Sequence, residues 1–308
     1  MQVLYEGRRL HKSFRGNGKG REIKACERVF ISIDEATTVG LVGESGCGKT
    51  TVGRLLLRLI DADRGVVYYR GCNLTRLNEK EIRPQRKNFQ MIFQDSASAF
   101  NPRMRVLDTL KESIRLYEDV KIRDARERIF ELIDKVNLSR GMLHNFVVNL
   151  SGGELKRLDI ARAISIHPEF IIADEPFSLL DISIQSQMAD LLMSYQETQG
   201  ASILYISHDL RMVEMLSRRV FVMYGGRIVE NASKRDITGI PLHPYTKHLW
   251  NPQRPVALSE FPDEGCIYRN SCLLFEKKGS PRLCIYEQPE LIEHREQHFA
   301  ACHFAGQL

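Results

Sequence analysis

Eight consecutive residues, Gly43-Glu44-Ser45-Gly46-Cys47-Gly48-Lys49-Thr50, carry the most specific chemistry in this 308-residue sequence. Their pattern, G-x-x-x-x-G-K-[ST], is that of a loop that wraps phosphate groups. Glycines let the backbone curl until its N–H groups point inward at phosphate oxygens, and a helix starting there adds its positive end. Lys49 is then placed to reach the β- and γ-phosphates, and the Thr50 hydroxyl to complete the shell of a Mg²⁺ ion. A second group, Phe170-Ile171-Ile172-Ala173-Asp174-Glu175, sets two carboxylates after four apolar residues. A buried strand of that composition delivers Asp174 and Glu175 to its carboxyl end, where α/β proteins bind ligands. Asp174 suits the shell of Mg²⁺, and Glu175 suits polarising a water beside a γ-phosphate. Alone, the acidic pair would as readily cap a strand or the next helix.

These groups need elements to hold them. Residues 37–42 read as a short buried strand running into the glycine-rich turn, and residues 52–60 carry Leu55, Leu56, Leu59 and Ile60 at helical spacing. Residues 170–173 and 203–206 are further apolar runs of strand length. Strands at such intervals with helices between them predict a parallel sheet with helical crossovers. Residues 220–224, Gly225-Gly226 and residues 227–230 read as a hairpin, because a Gly-Gly pair supplies the positive φ angles of a tight turn. The charged, helical pattern of residues 109–136 predicts an inserted helical lobe. Pro241, Pro244, Pro252, Pro255 and Pro262 interrupt the pattern and mark the main expected boundary.

Between the phosphate loop and the acidic strand lies Leu150-Ser151-Gly152-Gly153-Glu154, followed by an amphipathic stretch. With this motif the chain resembles the ABC ATPase family, whose signature is LSGGQ or a close variant, over about residues 1–235. The resemblance implies an α/β P-loop NTPase fold of ABC type. It makes Gln94 the Q-loop glutamine, which with Thr50 and Asp174 would serve Mg²⁺, and His208 the switch histidine. Asp181 belongs to its D-loop, and Phe14 is the A-loop aromatic that would stack on adenine. ATP would be held by residues 43–51 of one subunit, Thr51 included, and by Ser151, Gly152, Gly153 and Glu154 of a second. Lys49, Gln94, Glu175 and His208 would be the catalytic set. Glu154 departs from the family's usual glutamine; it follows the contacting Ser-Gly-Gly, so little effect is expected.

Phe93 to Met104 (FQDSASAFNPRM), residues 174–187 (DEPFSLLDISIQSQ) and residues 241–249 (PLHPYTKHL) are similar to the peptide and nickel importer branch. That resemblance implies three divisions: an ATPase domain over 1–240, a helical subdomain over about 95–165, and a C-terminal extension over 241–308. The implied partners are a paralogous ATPase subunit, membrane permease subunits and, indirectly, an extracytoplasmic solute-binding protein. The chain would sit peripherally on the cytoplasmic face of the cell membrane. Four thiols in the extension, Cys266, Cys272, Cys284 and Cys302, are enough for a [4Fe–4S] cluster or a tetrahedral zinc. They lack a tight C-x-x-C; the resemblance favours iron–sulfur, zinc is the alternative, and unligated buried thiols remain open.

Bulk properties narrow the classes. Hydrophobic residues at 43% and charged residues at 27% match a globular chain. The net charge of +5 is spread without a basic block, so nucleic acid is not an expected partner. No apolar run approaches the roughly 20 residues of a spanning helix, and the N-terminus lacks a secretory pattern. A DNA-maintenance ATPase would separate Gln94 from Leu150 by a long coiled coil, which the sequence lacks. A subunit of a soluble enzyme complex, of the phosphonate-breakdown type, is the alternative reading.

Overall fold

The computed structural model describes residues 2–15, 22–117, 122–252, 261–262 and 264–307. Two compact units emerge. One comprises residues 1–34, 38–75 and 206–308; the other comprises residues 35–37 and 76–205.

The first unit is built on two sheets. Val3–Arg15 and Glu22–Asp34 form a long antiparallel pair, interrupted by register shifts and extended by Arg64–Tyr69 and the short Cys72–Asn73. The second sheet runs in the order Ile292–Arg295, His298–Ala300, Arg227–Ser233, Arg219–Tyr224, Thr38–Val42. Only its last pair is parallel, Val39 facing Arg219 and Val42 facing Val222. The expected hairpin is present, with Gly225 and Gly226 at φ 52° and 80°. Residues of the extension contribute two strands here, since His298–Ala300 pairs with Arg227–Ser233. Leu10, Ile31, Ile33, Leu41, Leu55, Phe221 and Tyr224 are among the buried side chains. The helix after the phosphate loop spans Lys49–Leu56, starting and ending earlier than the apolar spacing suggests. Leu57 is its C-cap, Arg58 turns left-handed at φ 52°, and Leu59 is left exposed.

The second unit places Phe89–Ile92 parallel to Phe170–Asp174, Phe89 opposite Phe170, with Ser202–Ser207 next in order. All five residues of Phe170–Asp174 are buried, as a strand covered on both faces requires. Helix Ile122–Lys135 falls within the expected 109–136 stretch, and helix Val106–Tyr117 starts ahead of it; residues 118–121 of that stretch, and Pro255, lie outside the described residues. Ile114, Ile129 and Ile133 are buried, as are Leu158 and Ile160 of the Gly152–Ile164 helix. The strand pairing expected to be parallel is therefore mixed: parallel pairs hold the acidic strand and the phosphate loop, and the pairs from Arg219–Tyr224 to Ile292–Arg295 are antiparallel.

Candidate nucleotide site

The phosphate loop joins the Thr38–Val42 strand to the Lys49–Leu56 helix. Gly48, the helix N-cap, sits at φ 109°, and a Cβ there would fall 2.1 Å from the Ala25 carbonyl oxygen. Gly43 has φ 154° and would place a Cβ 2.2 Å from the Met223 carbonyl oxygen. A side chain at either position would displace the backbone that packs on the loop.

Lys49 is buried and folds back over the loop, its Nζ donating to the carbonyls of Gly43 at 2.7 Å and Glu44 at 2.9 Å. Cys47 is buried beneath, and burial pushes its thiol up despite the nearby ammonium of Lys49. Burial also raises the Glu44 carboxyl, against the pull of Lys49. The Glu44 amide donates to Tyr245 Oη at 3.1 Å. Ser45 and Gly46 form the exposed crest, with Thr50 and Thr51 half-buried. Two further expected residues lie in this unit. Phe14 is 43% exposed, and Lys12 Nζ stands 5.7 Å from its ring centroid. His208 is exposed just past the Ser202–Ser207 strand, and Asp209 caps the Leu210–Leu216 helix that follows.

The second unit gathers the rest. Asp174 ends its strand at 1% exposure. Glu175 follows at φ 47°, a conformation uncommon for a residue with a side chain. Ser178 secures that turn, donating to the Glu175 carbonyl from its N–H at 3.2 Å and its hydroxyl at 2.9 Å. Asp181 caps the Ile182–Gln199 helix, accepting from Ile184 N–H at 3.0 Å. Ser151 caps the Gly152–Ile164 helix in a capping box: Glu154 N–H donates to Ser151 Oγ at 3.3 Å, and Ser151 N–H donates to the Glu154 carboxylate at 2.7 Å.

Gln94 is exposed on the loop after Phe89–Ile92, and that loop is bolted to the signature helix by residues the sequence did not single out. Buried Lys156 donates from Nζ to the carbonyls of Phe93 at 2.6 Å and Gln94 at 3.0 Å. Buried Asp159 accepts from Phe93 N–H at 2.9 Å, Ser96 Oγ at 3.1 Å and Arg162 at 2.6 Å. Burial pulls the Lys156 ammonium down, and the carboxylates of Asp159, Asp174 and Glu175 oppose that shift. A helix position spaced to face a loop 62 to 66 positions away leaves no local pattern, so only the fold reveals this clamp.

In the extension, Cys266, Cys272, Cys284 and Cys302 line one small cavity together with His303. Its volume of about 10 Å³ is room for about one water. None of the four is in a disulfide. Burial pushes the Cys266 and Cys302 thiols up to about 12 and raises that of Cys284, which favours the protonated thiol over the thiolate. Among the described residues no group of three or more His, Cys, Asp or Glu is already arranged to hold a metal ion. The donors suit a soft metal in kind, and three of them would have to lose protons that burial favours.

Residues 26–178 match the family model described as ABC transporter. The chain is 39% identical over 304 residues to a putative oligopeptide transport ATP-binding protein, YkfD, of Bacillus subtilis, covering 93% of this chain and 91% of the relative. It is 42% identical over 233 residues to the oligopeptide transport ATP-binding protein OppF of Streptococcus mutans, covering 75% and 76%. Among solved structures, the dimeric ATP-binding cassette MJ0796, in a post-hydrolysis state with ADP and Pi, superposes with TM-score 0.70 at 23% identity, covering 75% of this chain and 99% of that one. This last likeness shows the ABC-type P-loop ATPase fold. With the identity sustained across 93% of its length, the chain belongs to the ABC transporter family of ATP-binding proteins.

Proposed function

We propose that this chain is the ATP-hydrolysing subunit of a membrane importer for oligopeptides, acting from the cytoplasmic face through separate permease subunits. The observation that carries the reading is the 39% identity to an oligopeptide-transport ATP-binding protein over 93% of the chain. That span is too long to omit either the phosphate loop or the whole tail, which disfavours the soluble enzyme-complex reading. Among the described residues no helix is long and apolar enough to cross a membrane, so a permease partner is part of the proposal.

In this reading the loop of residues 43–51, with Lys49, holds the phosphates, and Phe14 stacks on adenine. Thr50, Asp174 and Gln94 are the residues that would hold Mg²⁺, which supplies charge neutralisation at the phosphates when bound. Glu175 polarises the attacking water, and His208 orients it against the γ-phosphate. Ser151, Gly152 and Gly153 present a helix N-terminus to the nucleotide of a second ATPase subunit, in a pair for which a paralogous partner is proposed. Exposed apolar side chains near that turn support a partner surface: Leu179 is 76% and Ile182 83% exposed.

Substituting Glu175→Gln should leave ATP binding intact and trap an ATP-bound dimer while lowering kcat by about 100-fold or more; wild-type turnover in that variant would refute the role. Lys49→Ala should lose nucleotide binding as well. Recovery of the tagged chain with soluble catalytic subunits, and no permease, would overturn the transport reading.

The cysteine-lined cavity is proposed as the place of an iron–sulfur cluster, with zinc as the alternative. What supports this is four thiols lining one cavity and the affinity of thiolates for both. Anaerobic purification, iron and zinc analysis and absorbance near 400 nm decide it; a sample carrying neither metal refutes it.

A further inference from the structure

The peptide between Gly43 and Glu44 is gripped from both sides. Its carbonyl and the next one take the Lys49 ammonium at 2.7 and 2.9 Å. On the other side the Glu44 N–H donates to Tyr245 Oη at 3.1 Å, from a residue 201 positions further along the chain. Nothing in the sequence of the loop announces this partner.

Tyr245 is placed with care. It is 0% exposed, and its ring stacks against Tyr224 at 4.6 Å and Tyr268 at 5.5 Å. Tyr224 is packed in turn by Tyr268 at 5.2 Å and Phe261 at 5.5 Å. The start of its helix, Pro244–Trp250, is set by Pro244 and by His243, whose Nδ1 accepts the Tyr245 N–H at 3.0 Å. A phenylalanine would fill the same space between the rings. The hydroxyl is therefore not explained by packing, and a buried hydroxyl is costly unless it is hydrogen-bonded. It lies against a backbone N–H of the phosphate loop.

We propose that Tyr245 is a positioning residue for nucleotide binding: its Oη fixes the Glu44 peptide, so that the Gly43 and Glu44 carbonyls hold Lys49 ready over the loop. The proposal rests on the reading of residues 43–51 as the ATP loop. Without the hydroxyl, the part-buried Glu44 N–H loses its acceptor and faces an aromatic ring, a place where an amide seeks another partner. The peptide turns to find one, and the two carbonyls that carry Lys49 turn with it. A loop that must be reordered binds more weakly. The chemical step, once the site is filled, does not use this oxygen.

The test is full-length Tyr245→Phe. Mg·ATP affinity is measured by displacement of a fluorescent nucleotide, and turnover is measured across ATP concentrations. Kd and KM should rise about 3- to 10-fold, the loss of one hydrogen bond's worth of free energy, with kcat within about twofold. Hydrogen exchange should quicken in residues 43–50 and stay at the wild-type rate in the Pro244–Trp250 helix. Unchanged Kd overturns the proposal. So does faster exchange throughout the extension, or failure of the variant to fold, because either makes the hydroxyl a general structural element. A wild-type chain that neither binds nor hydrolyses ATP refutes the ATPase reading instead, so the two failures are distinguishable.

Discussion

Glu154 illustrates how much one atom can matter at the residue scale. Its position after the Ser-Gly-Gly suggests a bystander, yet its carboxylate accepts from both the N–H and the hydroxyl of Ser151, at 2.7 and 2.8 Å. Those bonds, the backbone one first, hold its carboxyl below the usual range. A negative charge there stabilises the helix N-terminus by about 0.5 kcal/mol, and in the proposed ATPase pair it would repel a partner's γ-phosphate. Glu154→Gln should keep the cap, remove the repulsion and strengthen ATP-driven dimerisation about 3- to 10-fold at low salt. Sedimentation of the variant in a Glu175→Gln background checks it, and the gain should shrink as salt rises. His243 sets a second expectation. Its Nδ1 accepts the Tyr245 N–H, and burial drives its pKa from 6.5 down to about 4, partly opposed by Glu230. Between those values the unfolded chain binds a proton that the folded chain refuses, so stability falls as pH drops from about 6.5 towards 4. Thermal melts over that range should show the loss, and His243→Asn, which can still cap the helix, should flatten the slope.

At the scale of elements, Lys156 and Asp159 join the Gly152–Ile164 helix to the Gln94 loop by hydrogen bonds to its backbone. Lys156→Met would leave the Phe93 and Gln94 carbonyls without their ammonium donor, a loss of about 3 kcal/mol in denaturant unfolding. Lys156→Arg should recover part of it; a Met variant as stable as wild type would show the clamp to be idle. The contrast with the phosphate loop explains what a sequence discloses. Gly43, Gly48, Lys49 and Thr50 are legible because strand, turn and helix are contiguous and each glycine answers a local backbone demand. The acidic strand is legible for the same reason, and the 220–230 hairpin announces itself through Gly225-Gly226. The clamp and Tyr245 are not legible, since their partners lie 62 and 201 positions away. The early strands hide differently: register shifts at Gly7/Leu10 and Leu10/Lys12 break the alternation that would reveal Val3–Arg15. The helix end misleads because Leu59 and Ile60 continue an apolar rhythm after Arg58 has already turned the backbone.

Seen as a whole molecule, the tail is woven into the unit that carries the phosphate loop. Glu230 on the Arg227–Ser233 strand is fully buried, and all three of its donors come from residues beyond 241. Leu242 N–H donates at 2.7 Å, His243 N–H at 2.9 Å and His298 Nε2 at 2.7 Å. The same segment closes the sheet edge, with Glu230 opposite Ala300, and covers the ring of Tyr224. Cutting the chain after Ile240 would therefore strip this carboxylate of its three donors and uncover the sheet edge and the Tyr224 ring, at a cost of about 3–5 kcal/mol, set against a total stability of about 5–15 kcal/mol. Residues 1–240 expressed alone should melt about 10 °C or more below the full chain, or aggregate. Glu230→Gln in the shortened chain separates the causes. If the orphaned charge dominates, the amide recovers a measurable part of the loss; if the exposed aromatic face dominates, it recovers none. A shortened chain that melts cooperatively at the full-length temperature would show that the buried carboxylate and its three donors contribute nothing to holding this unit together.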